Sequence, residues 1–445
     1  MNTLQKSFEK FINKEQLFAP SDRLLVALSG GVDSIVLVHL LHTAGYQLAI
    51  AHCNFQLRGQ ASNEDADFVT GFANEYGLVL HLKAFDTQAF AAEKKLSTQV
   101  AARALRYEWF DKLMQEHGYT HLLTAHHAND QVETMLYNLS KGTGIAGLRG
   151  IPLKHDSLRR PLLGTERKDI EAYAKSHQLT WREDASNLER KYSRNRLRLH
   201  VIPELKQINP GLEQTMLQNS RRFEALEKLL QHTVQSINSQ YLSEANDCHT
   251  LALNWYEETQ GGIAILIEIL KPFGFNANQC FSISESIATR SIGKQYLSAK
   301  YTLALDRNGL LIAPQEDTLF NESVTIENPK VSTPYANFTL TTVEVSNNWP
   351  KDKNTACLDA DLVQFPLKIR NWKQGDSFYP LGMKGKKKLS DFMIDEKIPV
   401  NLKLRVALFE SGNDIIWVAG HRIDERYKIT SKTKRILIIK MTSHV

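Results

Sequence analysis

The run Leu24-Leu-Val-Ala-Leu-Ser-Gly-Gly-Val-Asp-Ser34 decides how this chain is read. Four of the five residues from Leu24 to Leu28 are bulky and apolar, as in a strand buried on both faces. Ser29, Gly30 and Gly31 then form a turn, and Ile35 to Leu41 continues as an apolar helical segment. A small-residue turn entering a helix gathers backbone N–H groups at one point, and that point attracts phosphate. Glycine suits the turn because a Cβ would restrict φ and block close approach to a ligand. No Gly-Lys-Ser/Thr follows, so this is not a Walker A loop. The spacing also differs from the dinucleotide fingerprint.

The chain has 445 residues, enough for two or three domains, and 42% of them are hydrophobic, which supports real cores. Its 54 Lys and Arg against 49 Asp and Glu leave a net charge of only +5, so any nucleic-acid footprint must be a local patch. Cys53, Cys248, Cys280 and Cys357 are widely spaced and form no Cys-x-x-Cys pair. That argues against a disulfide scaffold, a cysteine-rich zinc site and a thiolate-held cluster. The polar opening Met1 to Lys10 reads as helix rather than signal peptide, and no apolar run has the length of a membrane span. A reducing, cytoplasmic setting is expected.

Outward from the opening run, strands are expected at Leu24–Leu28, Leu48–His52, Val79–Leu82 and His121–Ala125, with helices at 33–43, 61–76, 97–117 and 129–140. This alternation predicts an α/β fold with a doubly wound parallel sheet over residues 1–210. Ligands of such sheets sit at the carboxyl ends of strands. Three polar clusters, at 29–34, 52–58 and 126–133, fall at such ends and are expected to share one crevice. Residues 211–330 read as a mostly helical middle domain with some strand near its end. The polar stretch 316–350 reads as holding a boundary, and 350–445 as a small α+β C-terminal domain.

Several clusters carry chemistry. His52 to Gly59 offers Asn54, Phe55 and Arg58, although a polar surface loop accounts for it as well. Arg103 and Arg106 are three apart on one helix and present donors for phosphate, or a solvated face. In His126-His-Ala-Asn-Asp-Gln-Val-Glu133, helical spacing puts His126, Asp130 and Glu133 on one stripe, suited to Mg2+ or a substrate amine. Four glycines between Gly142 and Gly150 permit close backbone approach, or simply a flexible loop. Between Glu189 and Arg198, five basic residues surround Tyr192, a pattern for unpaired RNA. Lys384, Lys386, Lys387 and Lys388 form a compact cationic turn flanked by Trp372, Phe378 and Tyr379. Such lysines make sequence-tolerant backbone contacts, or merely aid solubility.

The Ser29–Ser34 loop after its strand resembles the PP-loop of N-type ATP pyrophosphatases. Taken with Asn54 and Arg58, Arg103 to Tyr107, His126 to Thr134, Lys141 to Gly144, Asp184 to Asn187 with Arg194 to Arg198, and Arg370 to Ile398, it resembles the tRNA(Ile)-lysidine synthases. The resemblance implies ATP and Mg2+ as cofactors, and tRNA(Ile) with a CAU anticodon and free L-lysine as partners. It implies that Ser29, Gly30, Gly31, Val32, Asp33, Ser34, Arg103 and Arg106 bind the nucleotide. It implies catalytic roles for Asp33, Asp130 and Arg103, with Asp130 holding Mg2+. It implies contacts to lysine or RNA from Asn54, Arg58, Glu133, Arg194, Asn195, Arg198, Lys386, Lys387 and Lys388. Two positions depart from the family pattern: Asn129 stands where an acid is common, and Phe55 where His is common.

Three other readings compete. A PP-loop thiolase would deliver sulfur through paired cysteines, whereas Cys53 stands alone near the site. A small-molecule amidating ligase such as an NAD synthetase would not need the basic 189–198 stretch or the lysine turn. A catalytically silent tRNA-binding protein would not need the intact loop and Asp130.

Overall fold

The computed structural model describes residues 3–182, 193–245, 247–315, 319–345 and 349–443. They divide into two compact units, 1–229 and 230–445, with the division inside the helix Leu212–Tyr241. No helix among the described residues is long and apolar enough to cross a membrane.

The first unit begins with helix α1 (Thr3–Glu15), followed by β1 (Leu24–Ala27), α2 (Val32–Thr43), β2 (Leu48–Asn54), α3 (Gln60–Glu75) and β3 (Val79–Ala84). Then come α4 (Thr87–Lys94), α5 (Thr98–His117), β4 (His121–Leu123), α6 (Ala128–Lys141) and α7 (Ile145–Arg149). Two short strands, β5 (Lys154–His155) and β6 (Leu158–Arg159), precede α8 (Arg167–Ser176), α9 (Ser193–Arg196), α10 (Ile202–Ile208) and α11 (Leu212–Tyr241). The sheet order is β3-β2-β1-β4-β6-β5, and every pairing is parallel except β5 with β6.

The period of β1 explains why this strand is central. Leu24 and Val26 join a core with α1, α2 and α8, while Leu25 points the other way toward Trp109, Phe110 and Leu113 of α5. All three β1 side chains are fully buried, and each such burial stabilises by about 1.5–3 kcal/mol relative to exposure. Helix α2 is buried nearly all round, from Val32 to Leu41. Local signals set the flanking helices. Asp86 caps α4 by accepting from Ala89 N, Ser97 accepts from Val100 N at the start of α5, and Gly118 ends α5 at a φ of 66°.

In the second unit, a five-stranded antiparallel sheet runs in the order Leu242–Ala245, Cys248–Ala252, Gly309–Pro314, Tyr301–Asp306 and Gln295–Leu297. Helices Gly262–Leu270 and Ala277–Ala288 share its core. The middle region thus has the expected helices and more strand than its sequence suggests. The stretch read as a boundary also contains strands. Asn321–Val324 pairs with Leu367–Asn371, and Ala336–Glu344 pairs with Arg435–Ser443. Those pairings join residues on both sides of position 350 in two sheets.

Candidate active site

The glycine turn between β1 and α2 is held by its two serines. Ser34 Oγ donates to Gly31 O over 2.9 Å, lies 3.1 Å from Ser29 Oγ and accepts from Ser29 N. Ser29 Oγ also accepts from Gly31 N. Gly30 sits at a φ of 88°, a left-handed conformation that requires glycine, and Gly31 caps α2 with no side-chain acceptor on its first amides. Those amides can meet an anion at the helix N-terminus. Val32 is buried beneath the turn and belongs to the core.

Asp33, in the first turn of α2, faces the start of α6. His127 Nε2 lies 3.7 Å from Asp33 Oδ1 and 3.6 Å from Asp130 Oδ2. Arg167, at the start of α8, donates from Nη1 to Asp33 Oδ2 over 2.5 Å. Burial pushes the Asp33 carboxyl above its usual pKa, against the opposing pull of His127 and Arg167. Asp33 Oδ1 is buried without a hydrogen-bond partner among the described residues. Asp130 Oδ2 accepts from His127 N over 3.0 Å, which closes the first turn of α6.

No group of three or more His, Cys, Asp or Glu side chains among the described residues is arranged to hold a metal by itself. Magnesium is usually bound through one or two carboxylates plus substrate phosphates. Asp33 and Asp130, on either side of His127 and next to an anion-binding turn, fit that habit, and a cation beside Asp33 would satisfy its orphaned oxygen.

Asp130 also lines a cavity of about 520 Å3. Its lining sets Asp130 and Glu133 with two guanidiniums, Arg103 and Arg160, together with Tyr107 and His126. Arg160 is buried, donates to Pro152 O and leaves Nε without a partner among the described residues. His126 is not on α6 as the stripe reading placed it, because the helix begins at Ala128. It still reaches the cavity from the connection after β4, with Nδ1 2.9 Å from Thr124 Oγ1. Burial, aided by nearby cations, lowers its pKa to about 4, so the ring is neutral near pH 7.

Several other expected site residues have partners of their own. Glu133 is buried and receives both Nε and Nη2 of Arg198, at 2.6 and 3.0 Å. Asn54 accepts from Gln56 N and donates to Asn63, and Arg58 pairs with Asp65, so both organise the loop that follows β2. Arg103 and Arg106 diverge despite their helical spacing. Arg103 lines the cavity and lies over Tyr107, whereas Arg106 lies over Phe55, 5.1 Å from the ring centroid. Phe55 in turn stacks on Phe85, so the aromatic ring at this unusual position supports an arginine. Asn195 is buried; the side chain of Arg194 and the whole stretch 183–192 lie outside the described residues. Lys386 and Lys388 are exposed in the second unit, while Lys387 pairs with Asp395. The sequence reading missed Arg160 and Arg167. Each is a single arginine with no local pattern, placed by a strand end or a helix start that only the fold supplies.

Three family models match the chain: a PP-loop domain over residues 1–205, a TilS substrate binding domain over 244–315, and a TilS substrate C-terminal domain over 367–439. It is 37% identical over 441 residues to a tRNA(Ile)-lysidine synthase of Bacteroides thetaiotaomicron, covering 98% of this chain and 100% of that one. A tRNA(Ile)-lysidine synthase of Parabacteroides distasonis is 36% identical over 431 residues, covering 96% and 98%. Among solved structures, a U34-tRNA thiolase from Methanococcus maripaludis overlaps 49% of this chain and 78% of its own, at 18% identity and a TM-score of 0.42.

Proposed function

The chain belongs to the tRNA(Ile)-lysidine synthase family, an ATP-using ligase family acting on tRNA, and from that premise we propose how its residues divide the chemistry. O2 of the wobble cytidine in a CAU anticodon attacks the α-phosphorus of ATP, and pyrophosphate leaves. The amine of free L-lysine then attacks C2 of the activated base, and AMP leaves. RNA and lysine supply both nucleophiles, so the protein needs no covalent nucleophile and works by positioning and charge.

The amides after Gly30 and the Ser29 and Ser34 hydroxyls hold the departing pyrophosphate, whose charge grows in the transition state. Asp33 and Asp130 would hold Mg2+, which when bound neutralises phosphate charge. Lysine occupies the cavity beside them. Its α-carboxylate meets the guanidiniums of Arg103 and Arg160, and its amine meets Asp130. Glu133 serves chiefly to hold Arg198 through the bidentate pair. Arg106, Asn54 and Arg58 shape the neighbouring loop, and Arg194, Asn195, Arg198, Lys386, Lys387 and Lys388 are assigned to RNA.

One observation carries this reading: Asp130 belongs both to the Asp33–His127–Asp130 cluster at the start of α2 and to the lining of a cavity that holds carboxylates and guanidiniums. Its test is incubation with ATP, labelled lysine and an unmodified CAU-anticodon tRNA(Ile). Label entering the RNA, with AMP and pyrophosphate released, supports lysidine formation. A folded protein that leaves the RNA unlabelled overturns it.

A further inference from the structure

Asn129 precedes Asp130 in the chain, and its side chain bonds to two other helices. Its Oδ1 accepts from Arg167 N over 2.9 Å, which fixes the first turn of α8. Its Nδ2 donates over 2.8 Å to Oε1 of Glu213 in α11. Glu213 is almost fully buried, at 1% exposure, and Lys206 of α10 donates to the same oxygen over 2.6 Å. One side chain therefore joins α6, α8 and α11. The helices it joins carry Asp130 on one side and, on the other, the Arg167 that grips Asp33.

We infer that Asn129 is a positioning residue for the reaction, matched to Glu213. The reason is donor and acceptor count. The position must accept from a backbone N–H and donate to a buried carboxylate at once, and an amide does both. Aspartate can only accept and would set a second carboxylate against Glu213. Serine is too short to reach both, and an apolar residue leaves a buried carboxylate and a backbone donor short of partners. The amide at 129 and the buried acid at 213 are thus two halves of one device. It sets the angle of the α6 start against the α8 start, and with it the spacing of the groups around His127.

The test rests on the lysidine-forming activity proposed above, so the wild-type chain is assayed alongside; an inactive wild type would count against that reading alone. Three variants are compared at a temperature well below their melting midpoints: Asn129→Asp, Glu213→Gln, and the double exchange. Asn129→Asp is expected to keep tRNA affinity and lose roughly tenfold to a hundredfold in kcat, the scale of a small misplacement of reacting groups. Glu213→Gln retains an acceptor for Asn129 and stays within about threefold of wild type. The double exchange reverses the hydrogen bond, with the new amide at position 213 donating to the new carboxylate at position 129, and recovers most of the lost kcat. A purely structural role would instead lower the melting midpoint of Asn129→Asp and leave the kcat of the folded enzyme unchanged. That result overturns the assignment, as does a double exchange that recovers the melting midpoint but not kcat.

Discussion

Asp130 has two jobs that one substitution can separate. Its carboxylate closes the first turn of α6 and presents charge to the cavity. An amide at this position keeps an acceptor for His127 N and removes the charge. Asp130→Asn is therefore expected to abolish lysine incorporation, shift the melting midpoint by only a few degrees, about 1 kcal/mol or less for the retained hydrogen bond, and leave tRNA affinity near wild type. Filter binding beside the incorporation assay checks it; retained activity would remove Asp130 from the chemistry. His126 makes a second prediction. Its folded pKa, about 4, lies below the ordinary value of 6.5. Between those values the unfolded chain binds the proton and the folded chain does not, so stability falls as pH drops through that window. Melting midpoints from pH 7 to 4 should decline less steeply in His126→Gln than in wild type.

At the scale of elements, the Glu133–Arg198 pair ties α6 to the turn Leu197–Val201. Glu133 is buried but the Arg198 side chain is 42% exposed, so removing the arginine leaves a buried carboxylate without its partner, which costs more than removing both. Arg198→Ala is expected to destabilise the protein by about 1–2 kcal/mol, and adding Glu133→Gln to restore part of that loss. Denaturant melts of Arg198→Ala, Glu133→Gln and the double decide it; a loss in the double equal to the sum of the two single losses would show that the pair carries no coupling. The same scale explains what the sequence disclosed. The expected strands at Leu24, Leu48, Val79 and His121 all exist; β1, β2 and β4 are interior strands marked by buried apolar residues, and β3 is a largely exposed edge strand. Strands Asn321–Val324 and Ala336–Glu344 were hidden: they are rich in Thr, Asn and Glu, at least half of their residues face solvent, and the partners Leu367–Asn371 and Arg435–Ser443 are distant in sequence. The glycine turn and Asp130 were legible as local patterns. The cavity was not, because Arg103, Arg160 and His126 meet only when α5, β6 and the end of β4 are brought together.

For the whole molecule, the tRNA substrate sets a charge requirement that a net +5 meets only locally. Lys384, Lys386 and Lys388 are exposed and carry no ion partner among the described residues, unlike Lys387. Replacing these three with Ala should weaken tRNA binding, reduce the salt slope of that binding by roughly one for each phosphate no longer neutralised, and leave the KM for ATP unchanged. Titrations at several salt concentrations test this, and an unchanged slope would remove the turn from the RNA footprint. In the proposed reaction the RNA, rather than lysine, is activated by ATP. The most direct measurement supplies ATP labelled at the α-phosphate with CAU-anticodon tRNA(Ile) and no lysine. The label should become bound to the RNA as pyrophosphate is released, and adding lysine should discharge it as AMP. Pyrophosphate release that needs lysine but no RNA would contradict the account.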